Sequence, residues 1–262
     1  IGPSNYVLSK TEADLKKATW SQIVDNNKQQ VLGLIEGGAD VLLFETQQDI
    51  LELKASLIGA QKAFGETGSR LPIIAQVTVD NFSKMQIFNT DIHAAYVAVQ
   101  GMGISAFGIN CNTGPELMQK TVEKLSRVCR HPISIVPNAG QPVSEDGKTC
   151  YKLQPEEMAD YVERFVKESG VAIVGGCCGT TPDHIRALSN RLKGVAPERT
   201  LPASKVYVSG PQEAVVLDSS QGLVRIGERL NVRGSKKVRE AVERDDGIQM
   251  TTLEEVVEEQ VK

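Results

Sequence analysis

The chain has 262 residues, of which 24% are charged and 40% hydrophobic, and its net formal charge is −4. These values are typical of a globular protein with one large domain or a domain and part of a second. The mild negative charge without a basic patch argues against a nucleic-acid-binding protein, and no apolar run is long enough to span a membrane. Five cysteines in a chain of this size indicate a reducing, cytoplasmic compartment, in which thiols serve metal binding or catalysis.

The two ends of the sequence look cut. It opens on Ile1 rather than on an initiator Met, and it closes on TTLEEVVEEQVK (251–262), a helical pattern that continues to the last residue. We therefore expect a piece of a longer protein.

Five apolar runs rich in β-branched residues follow one another along the first two thirds of the chain. Each run is continuously apolar rather than alternating, as expected of parallel strands that are buried on both faces. In chain order they are ADVLLFET (39–46), PIIAQVTVD (72–80), SAFGINCN (105–112), PISIVPNAG (132–140) and VAIVGGCCG (171–179). We predict a buried strand in each.

The segments between these runs have the pattern of amphipathic helices. Pro155 and Pro182 suit the first turns of two helices, and Gly170 suits the end of one. Apolar residues recur at helical spacing, as in the set Ile50, Leu53, Leu57 and Ala60. Alternating strands and helices predict a parallel α/β fold, which is either an open doubly wound sheet or a (β/α)8 barrel.

Polar and reactive residues concentrate where the predicted strands end. They are Glu45, Thr46, Asp80, Asn110–Asn112, Asn138, Cys177 and Cys178. A barrel gathers the carboxyl ends of its strands into one site, whereas an open sheet spreads them along an edge. We therefore favour a (β/α)8 TIM-type barrel, and the absence of a GxGxxG motif weakens the dinucleotide-binding alternative. Because only five strands are visible, we expect the barrel to be incomplete at its N-terminus.

The composition changes after Leu192. Residues 194–222 are rich in Pro, Ser and Gly, which predicts a linker with one short hairpin. A new strand, turn and helix pattern then begins. We assign residues 1–193 to the barrel, 194–222 to the linker and 223–262 to the start of a second domain.

Three of the cysteines lie at predicted strand ends. Cys111 ends the third strand, and Cys177 and Cys178 end the fifth, so a barrel can bring all three thiols together. Three thiolates with an open fourth position suit a catalytic zinc ion. The flanking glycines permit the sharp turn that two adjacent ligands need. Packing, or more rarely a vicinal disulfide, remains an alternative for the adjacent pair.

The other candidate ligands fit packing or surface roles better. We interpret Cys129, at a helix end, and Cys150, in a loop, as packing residues. The histidines lie in or beside predicted helices, away from strand ends; they are His93, His131 and His184. Glu45 at a strand end is interpreted as a substrate contact.

Several of these motifs resemble a known family. FGINCN, PNAG and IVGGCCGTTPDHIRAL are similar to the homocysteine-binding domain of the homocysteine S-methyltransferase family, and the resemblance runs from GPSN (2–5) to about Leu192. RIGERLNVRGSKKVRE (225–240) resembles the first strand and turn of a methyltetrahydrofolate-binding (pterin) domain. A homocysteine barrel followed by a folate barrel is the order found in the cobalamin-dependent members. The resemblance thus makes 223–262 the first βα unit of a second barrel.

The resemblance also implies roles for individual residues. Cys111, Cys177 and Cys178 would hold the catalytic Zn²⁺, and the sulfur of homocysteine would take the fourth position. Asn138 would offer its side-chain oxygen to zinc when homocysteine is absent and would lie close to the substrate. Glu45 would hold the substrate ammonium. The GPSN turn would lie near the amino-acid end of the substrate, with Gly2, Ser4 and Asn5 as its candidate contacts.

The implied reaction is methyl transfer to homocysteine to give methionine. The methyl group would come from 5-methyltetrahydrofolate through methylcobalamin, held by a cobalamin module that this sequence lacks. Glu228 and Asn231 would line the pterin site. Two alternatives remain, namely a single-barrel homocysteine methyltransferase with another methyl donor and a non-catalytic zinc or thiol binding module. A redox protein that uses Cys177 and Cys178 as a disulfide is the weakest alternative.

Overall fold

The computed structural model describes residues 1–4, 8, 18–218, 222, 236, 239 and 240. The chain divides into two compact units, residues 1–216 and 217–262. The helices of the first unit are α1 (Trp20–Glu36), α2 (Ile50–Thr67), α3 (Ile92–Val99), α4 (Pro115–Val128), α5 (Pro155–Ser169) and α6 (Pro182–Arg191). Its strands are β1 (Leu42–Gln47), β2 (Ile73–Val77), β3 (Lys84–Met85), β4 (Thr90–Asp91), β5 (Ala106–Asn110), β6 (Ile133–Val136), β7 (Val143–Glu145), β8 (Lys148–Cys150), β9 (Val171–Val174), β10 (Tyr207–Ser209) and β11 (Ala214–Val216).

One parallel sheet organises the first unit. Its five strands lie in the order β1-β2-β5-β6-β9, and each contains residues of one of the five apolar runs. Residues of the strands and helices are buried together in one core, with Phe44, Leu53 and Phe107 fully inaccessible to solvent. The predicted parallel α/β fold is therefore confirmed.

The strand order determines where the candidate residues can meet. β6 lies between β5 and β9, and all three strands run in the same direction. Their carboxyl ends, followed by Cys111, Pro137 and Gly175, lie at one edge of the sheet. β9 is shorter than its apolar run, because it ends at Val174 and the cysteine pair lies in the loop beyond it.

Two-stranded hairpins extend from this framework. The β7–β8 hairpin follows β6, and residues 141–149 are exposed. Cys150 ends β8 and is partly buried, so its predicted position in a loop is wrong, whereas its interpretation as a packing residue stays a prediction. Cys129 is fully buried where α4 ends, as its interpretation as a packing residue requires.

The segment predicted as a linker contains the β10–β11 hairpin. This hairpin packs on the region of α3. Ser209 Oγ donates to the carbonyl oxygen of Ala94 at 3.0 Å, and Thr90 Oγ1 donates to that of Pro211 at 2.6 Å. The first compact unit thus includes the hairpin, whereas the three-part division of the chain stays a prediction.

Some sequence predictions fall beyond the described part of the chain. Asn5, Glu228 and Asn231 lie outside the described residues, as does most of the predicted second barrel. Within the described residues, none of the helices combines the length and the apolar character needed to cross a membrane.

Candidate metal and substrate site

Three thiols lie together at the carboxyl ends of the strands. The sulfur of Cys178 is 3.6 Å from that of Cys111 and 3.9 Å from that of Cys177. All three sulfurs lie within 4.8 Å of one another, and no other such group of potential metal ligands occurs among the described residues. The structure therefore brings together the three cysteines that the strand-end argument selected.

The backbone turns sharply to present Cys111. β5 ends at Asn110, and the next two residues, Cys111 and Asn112, have φ angles of +60° and +64°. Residues with side chains rarely adopt this left-handed conformation, and each instance costs about 1–3 kcal/mol. The N–H of Thr113 donates to the carbonyl of Cys111 at 2.8 Å and closes the turn. This turn directs the chain away from the strand as soon as β5 ends.

Cys177 and Cys178 lie in a loop that is bonded to the end of β6. The N–H of Cys177 donates to the carbonyl of Pro137 at 2.7 Å. The N–H of Cys178 donates to Oδ1 of Asn138 at 3.1 Å. Because the pair lies in a loop rather than in a strand, its two side chains need not point to opposite faces, and both reach the same cluster.

Gly179 and Tyr151 form one wall of this loop. Gly179 has a φ angle of +77°, and a Cβ added there would lie 2.3 Å from Cγ of the Tyr151 ring. Tyr151 directly follows β8, so the base of the β7–β8 hairpin packs on the cysteine loop. Burial, followed by the nearby Cys178, raises the pKa of the Tyr151 phenol. Sequence reasoning did not select Tyr151, because no strand-end pattern marks it.

The thiols are electrostatically suited to a cation. Burial, together with the neighbouring thiol of Cys111, raises the pKa of Cys177 to about 12. Burial also raises the pKa of Cys111. These two thiols are therefore protonated at neutral pH unless a positive charge compensates the buried thiolates.

The donor set fits zinc. With zinc–sulfur bonds of about 2.3 Å and tetrahedral angles, two thiolates lie about 3.8 Å apart. The sulfur separations of 3.6 Å and 3.9 Å agree with that spacing. Thiolates are soft ligands that suit zinc, and three of them leave a fourth position open.

Asn138 is almost fully buried beside the cluster, with 2% of its surface exposed. Its Oδ1 accepts the hydrogen bond from Cys178 N–H, so this oxygen orients the cysteine loop. A carbonyl oxygen has a second lone pair, which stays available for a ligand.

Asn110, one of the polar residues at the predicted strand ends, is a further buried amide, to which the sequence assigned no role in the site. Its Oδ1 accepts from Thr46 N–H at 2.7 Å, and its Nδ2 donates to Thr46 Oγ1 at 2.7 Å. Nδ2 also lies 3.9 Å from the sulfur of Cys177. A polar residue at the end of an apolar strand was the available signal, but the sequence did not show which residues it contacts.

Glu45 lies on β1, next to Thr46, and is partly exposed. Among the described residues, no hydrogen bond or salt bridge is made by its carboxylate. A carboxylate without a partner among the described residues is available to a cationic group of a substrate.

Residues 1–4, which include the described part of GPSN, lie beside the same strand. The backbone N–H of Glu45 donates to the carbonyl of Ile1 at 3.0 Å, so Ile1 pairs with β1 just before Gly2. Ser4 N–H donates to Oε1 of Glu52 on α2 at 2.5 Å. Glu52 is buried, and burial raises its pKa. Glu52, another residue that sequence reasoning missed, thus anchors the turn.

Two curated proteins with sequences similar to this chain are methionine synthases. Methionine synthase of Mycobacterium tuberculosis (strain ATCC 25618 / H37Rv) is 39% identical over 247 residues, which are 92% of this chain and 21% of the relative. Methionine synthase of Mycobacterium leprae (strain TN) is 38% identical over 252 residues, with the same two shares. The chain thus spans about a fifth of the length of these curated relatives.

A solved structure shares the fold. The apo form of the homocysteine methyltransferase MmuM from Escherichia coli matches 73% of this chain and 60% of its own, with a TM-score of 0.55 and 23% identity. The model of the homocysteine S-methyltransferase family matches residues 1–192, which is more than half of the sequence. The chain therefore belongs to the homocysteine S-methyltransferase family.

Proposed function

We propose that this chain forms the homocysteine-binding region of a zinc-dependent methyltransferase that makes methionine. The thiol cluster carries the proposal, because the sulfurs of Cys111, Cys177 and Cys178 lie within 4.8 Å of one another and two of their separations match those of thiolates bound to one zinc ion. Membership of the family and similarity to two methionine synthases support the substrate and the reaction.

The reaction moves a methyl group from a donor to the sulfur of homocysteine. The thiol loses its proton, a sulfur–carbon bond forms, and the donor keeps the electron pair of the bond that breaks. A free thiol has a pKa of about 8.5 and is mostly protonated at neutral pH. When bound, zinc supplies the positive charge that makes a coordinated thiol a thiolate at this pH.

The residues of the chain hold and orient the reactants. Cys111, Cys177 and Cys178 would hold the metal and leave one position for the substrate sulfur. Asn138 orients the loop of the adjacent cysteines through its bond to Cys178 N–H, and its oxygen would be offered to the metal when no substrate is present. Glu45 pairs with the ammonium group of homocysteine.

The methyl donor is proposed from a sequence resemblance. We assign 5-methyltetrahydrofolate as the source and methylcobalamin as the carrier, since residues 225–240 resemble the start of a methyltetrahydrofolate-binding domain. Glu228 and Asn231 would then contact the pterin, in a second barrel that begins within residues 223–262. The alternative is a family member with one barrel and another donor. Methyl transfer that needs neither folate nor corrinoid would favour that alternative.

Metal analysis of cysteine variants tests the proposal. After purification under reducing conditions, we expect about one zinc per chain. Cys177→Ser and Cys178→Ser should lose it, because each variant lacks one of three thiolate ligands. Cys129→Ser and Cys150→Ser are the controls and should keep it. Zinc at full occupancy in both Cys177→Ser and Cys178→Ser would refute the metal site.

A further inference from the structure

Asn110 lies at the end of the central strand of the sheet and is fully buried. Its amide spans two distant strand ends. On one side it bonds twice to Thr46 at the end of β1, across the intervening β2. On the other side Nδ2 points to the sulfur of Cys177, across the intervening β6. One amide group thus contacts both the loop that holds metal ligands and the strand that bears Glu45.

We infer that Asn110 is a positioning residue that fixes the distance between the Cys177 sulfur and the ammonium-binding Glu45. This inference rests on the proposed function, in which Glu45 binds the ammonium group of homocysteine. Asn110 would align the substrate without contacting it. The amide would hold both ends of homocysteine's binding site in one geometry.

The contact with Cys177 acts on the metal ligand. An N–H group that points at a thiolate stabilises its charge and fixes the direction of the side chain. At 3.9 Å between Nδ2 and the sulfur, the contact is that of a hydrogen bond to a large, soft acceptor. Removal of a hydrogen-bond partner of this kind typically weakens metal affinity by about 10- to 100-fold.

The contact with Thr46 holds a strained backbone. Thr46 has a φ angle of +57°, a conformation that β-branched residues rarely adopt. The pairing of β1 with β2 is also irregular between Phe44 and Gln47. The N–H and the Oγ1 of Thr46 both bond to Asn110, so this amide stabilises the irregular segment that carries Glu45.

Asn110→Asp tests the inference, because it keeps the size of the side chain and removes the N–H donors. We expect Co²⁺, titrated against a competing chelator, to bind about 10- to 100-fold more weakly than to the parent chain. The thiolate-to-cobalt absorption should shift in position or intensity. Homocysteine binding to the Co²⁺ form should weaken as well.

Ser134→Ala is the matched control. It removes a buried hydrogen bond in the same sheet, from Gln76 Nε2 to Ser134 Oγ at 2.7 Å, which does not reach the cysteines. Its stability should fall, but its cobalt affinity and absorption should equal those of the parent. This comparison separates positioning from a general loss of stability.

Thr46→Val provides a second variant if Asn110→Asp does not fold. Valine keeps the shape of threonine and removes the Oγ1 acceptor, while Asn110 and all three thiols remain. We expect weaker homocysteine binding and metal affinity within about twofold of the parent. Unchanged homocysteine binding in Thr46→Val would overturn the Glu45 half of the inference.

The two proposals fail in different ways. Equal cobalt affinity and absorption in Asn110→Asp and the parent would overturn the role of Asn110 at Cys177, even if homocysteine binds. Failure of the parent chain to bind homocysteine, with cobalt held by its thiols, would overturn the proposed substrate, and the cobalt measurements would still decide the Cys177 contact.

Discussion

Left-handed backbone at residues with side chains is concentrated around the candidate site. Six such residues occur in the described part of the chain, and three of them, Thr46, Cys111 and Asn112, lie at the strand ends that form the site. Each costs about 1–3 kcal/mol and persists only where surrounding contacts impose it. The hydrogen bonds of Asn110 and of the cysteine turns supply those contacts.

Gly179→Ala should damage the cysteine loop. Alanine is strained at the Gly179 φ angle of +77°, and its methyl group would also clash with the Tyr151 ring. Gly147→Ala is the control, since its φ angle is +75° but nothing lies within 4 Å of the added Cβ. We expect both variants to lower the free energy of unfolding by about 1 kcal/mol through the backbone. Only Gly179→Ala should also lose zinc.

Thermal unfolding and metal analysis of the two glycine variants give the comparison. Equal zinc content in Gly179→Ala and Gly147→Ala would show that the ring contact of Tyr151 does not shape the cysteine loop.

Glu45→Gln should weaken homocysteine binding without changing zinc content. A charge-assisted hydrogen bond is worth about 1.5–3 kcal/mol, so we expect a loss of about 10- to 100-fold in affinity. Glu168→Gln, an exposed carboxylate on α5, is the control. Titration of homocysteine with parallel metal analysis measures both quantities. Loss of zinc in Glu45→Gln would instead indicate that Glu45 is a metal ligand.

At the scale of elements, the strands of the sheet were predictable, whereas the side-chain hydrogen bonds between their ends were not. Continuous apolar runs predicted β1, β2, β5, β6 and β9, because a strand covered on both faces needs apolar side chains throughout. The cysteines could be selected because parallel strands end at the same edge. The bonds of Asn110 to Thr46 could not be predicted, since those residues lie 64 positions apart and no local pattern encodes the contact.

Stability should fall in acid because of a histidine that links α3 to the start of β6. Tyr96 hydroxyl lies 3.0 Å from Nδ1 of His131, and burial lowers the pKa of His131 below 6.5. The unfolded chain therefore takes up this proton at higher pH than the folded chain. Its contribution to the free energy of unfolding is complete above the unfolded pKa and is lost as the pH falls through the folded pKa.

Urea unfolding between about pH 7.5 and 5.5 measures this effect. His131→Asn keeps a hydrogen-bond acceptor and should show a smaller decrease than the parent. Burial also lowers the pKa of His93, so part of the decrease should remain. An identical decrease in His131→Asn and the parent would contradict the assignment.

For the molecule as a whole, the compact unit extends beyond the family match. The match ends at residue 192, whereas the first unit continues to residue 216. Arg199 Nη2 donates to the carbonyl of His131 at 3.1 Å, and the β10–β11 hairpin packs on α3. Composition predicted a linker here, because Pro, Ser and Gly do not reveal hydrogen bonds to a distant surface.

A chain that ends at residue 193 should therefore be less stable than one that ends at residue 216. The shorter chain loses hydrogen bonds worth about 1 kcal/mol each, including those of Ser209 and Arg199. Thermal unfolding of the two truncated chains measures the difference. Equal midpoints would show that residues 194–216 add nothing to the stability of the unit.

The separation of the cysteines along the chain has a consequence for biosynthesis. Cys111 and Cys178 are 67 residues apart, and the loop of Cys178 is bonded to the end of β6, which is translated between them. Cys111 therefore leaves the ribosome before Cys177 and Cys178 have been translated. Until β9 has emerged and paired with β6, that thiol has no neighbouring thiol and is open to oxidants. A metal ion that needs all three thiols would therefore bind only after β9 and the cysteine loop have been made.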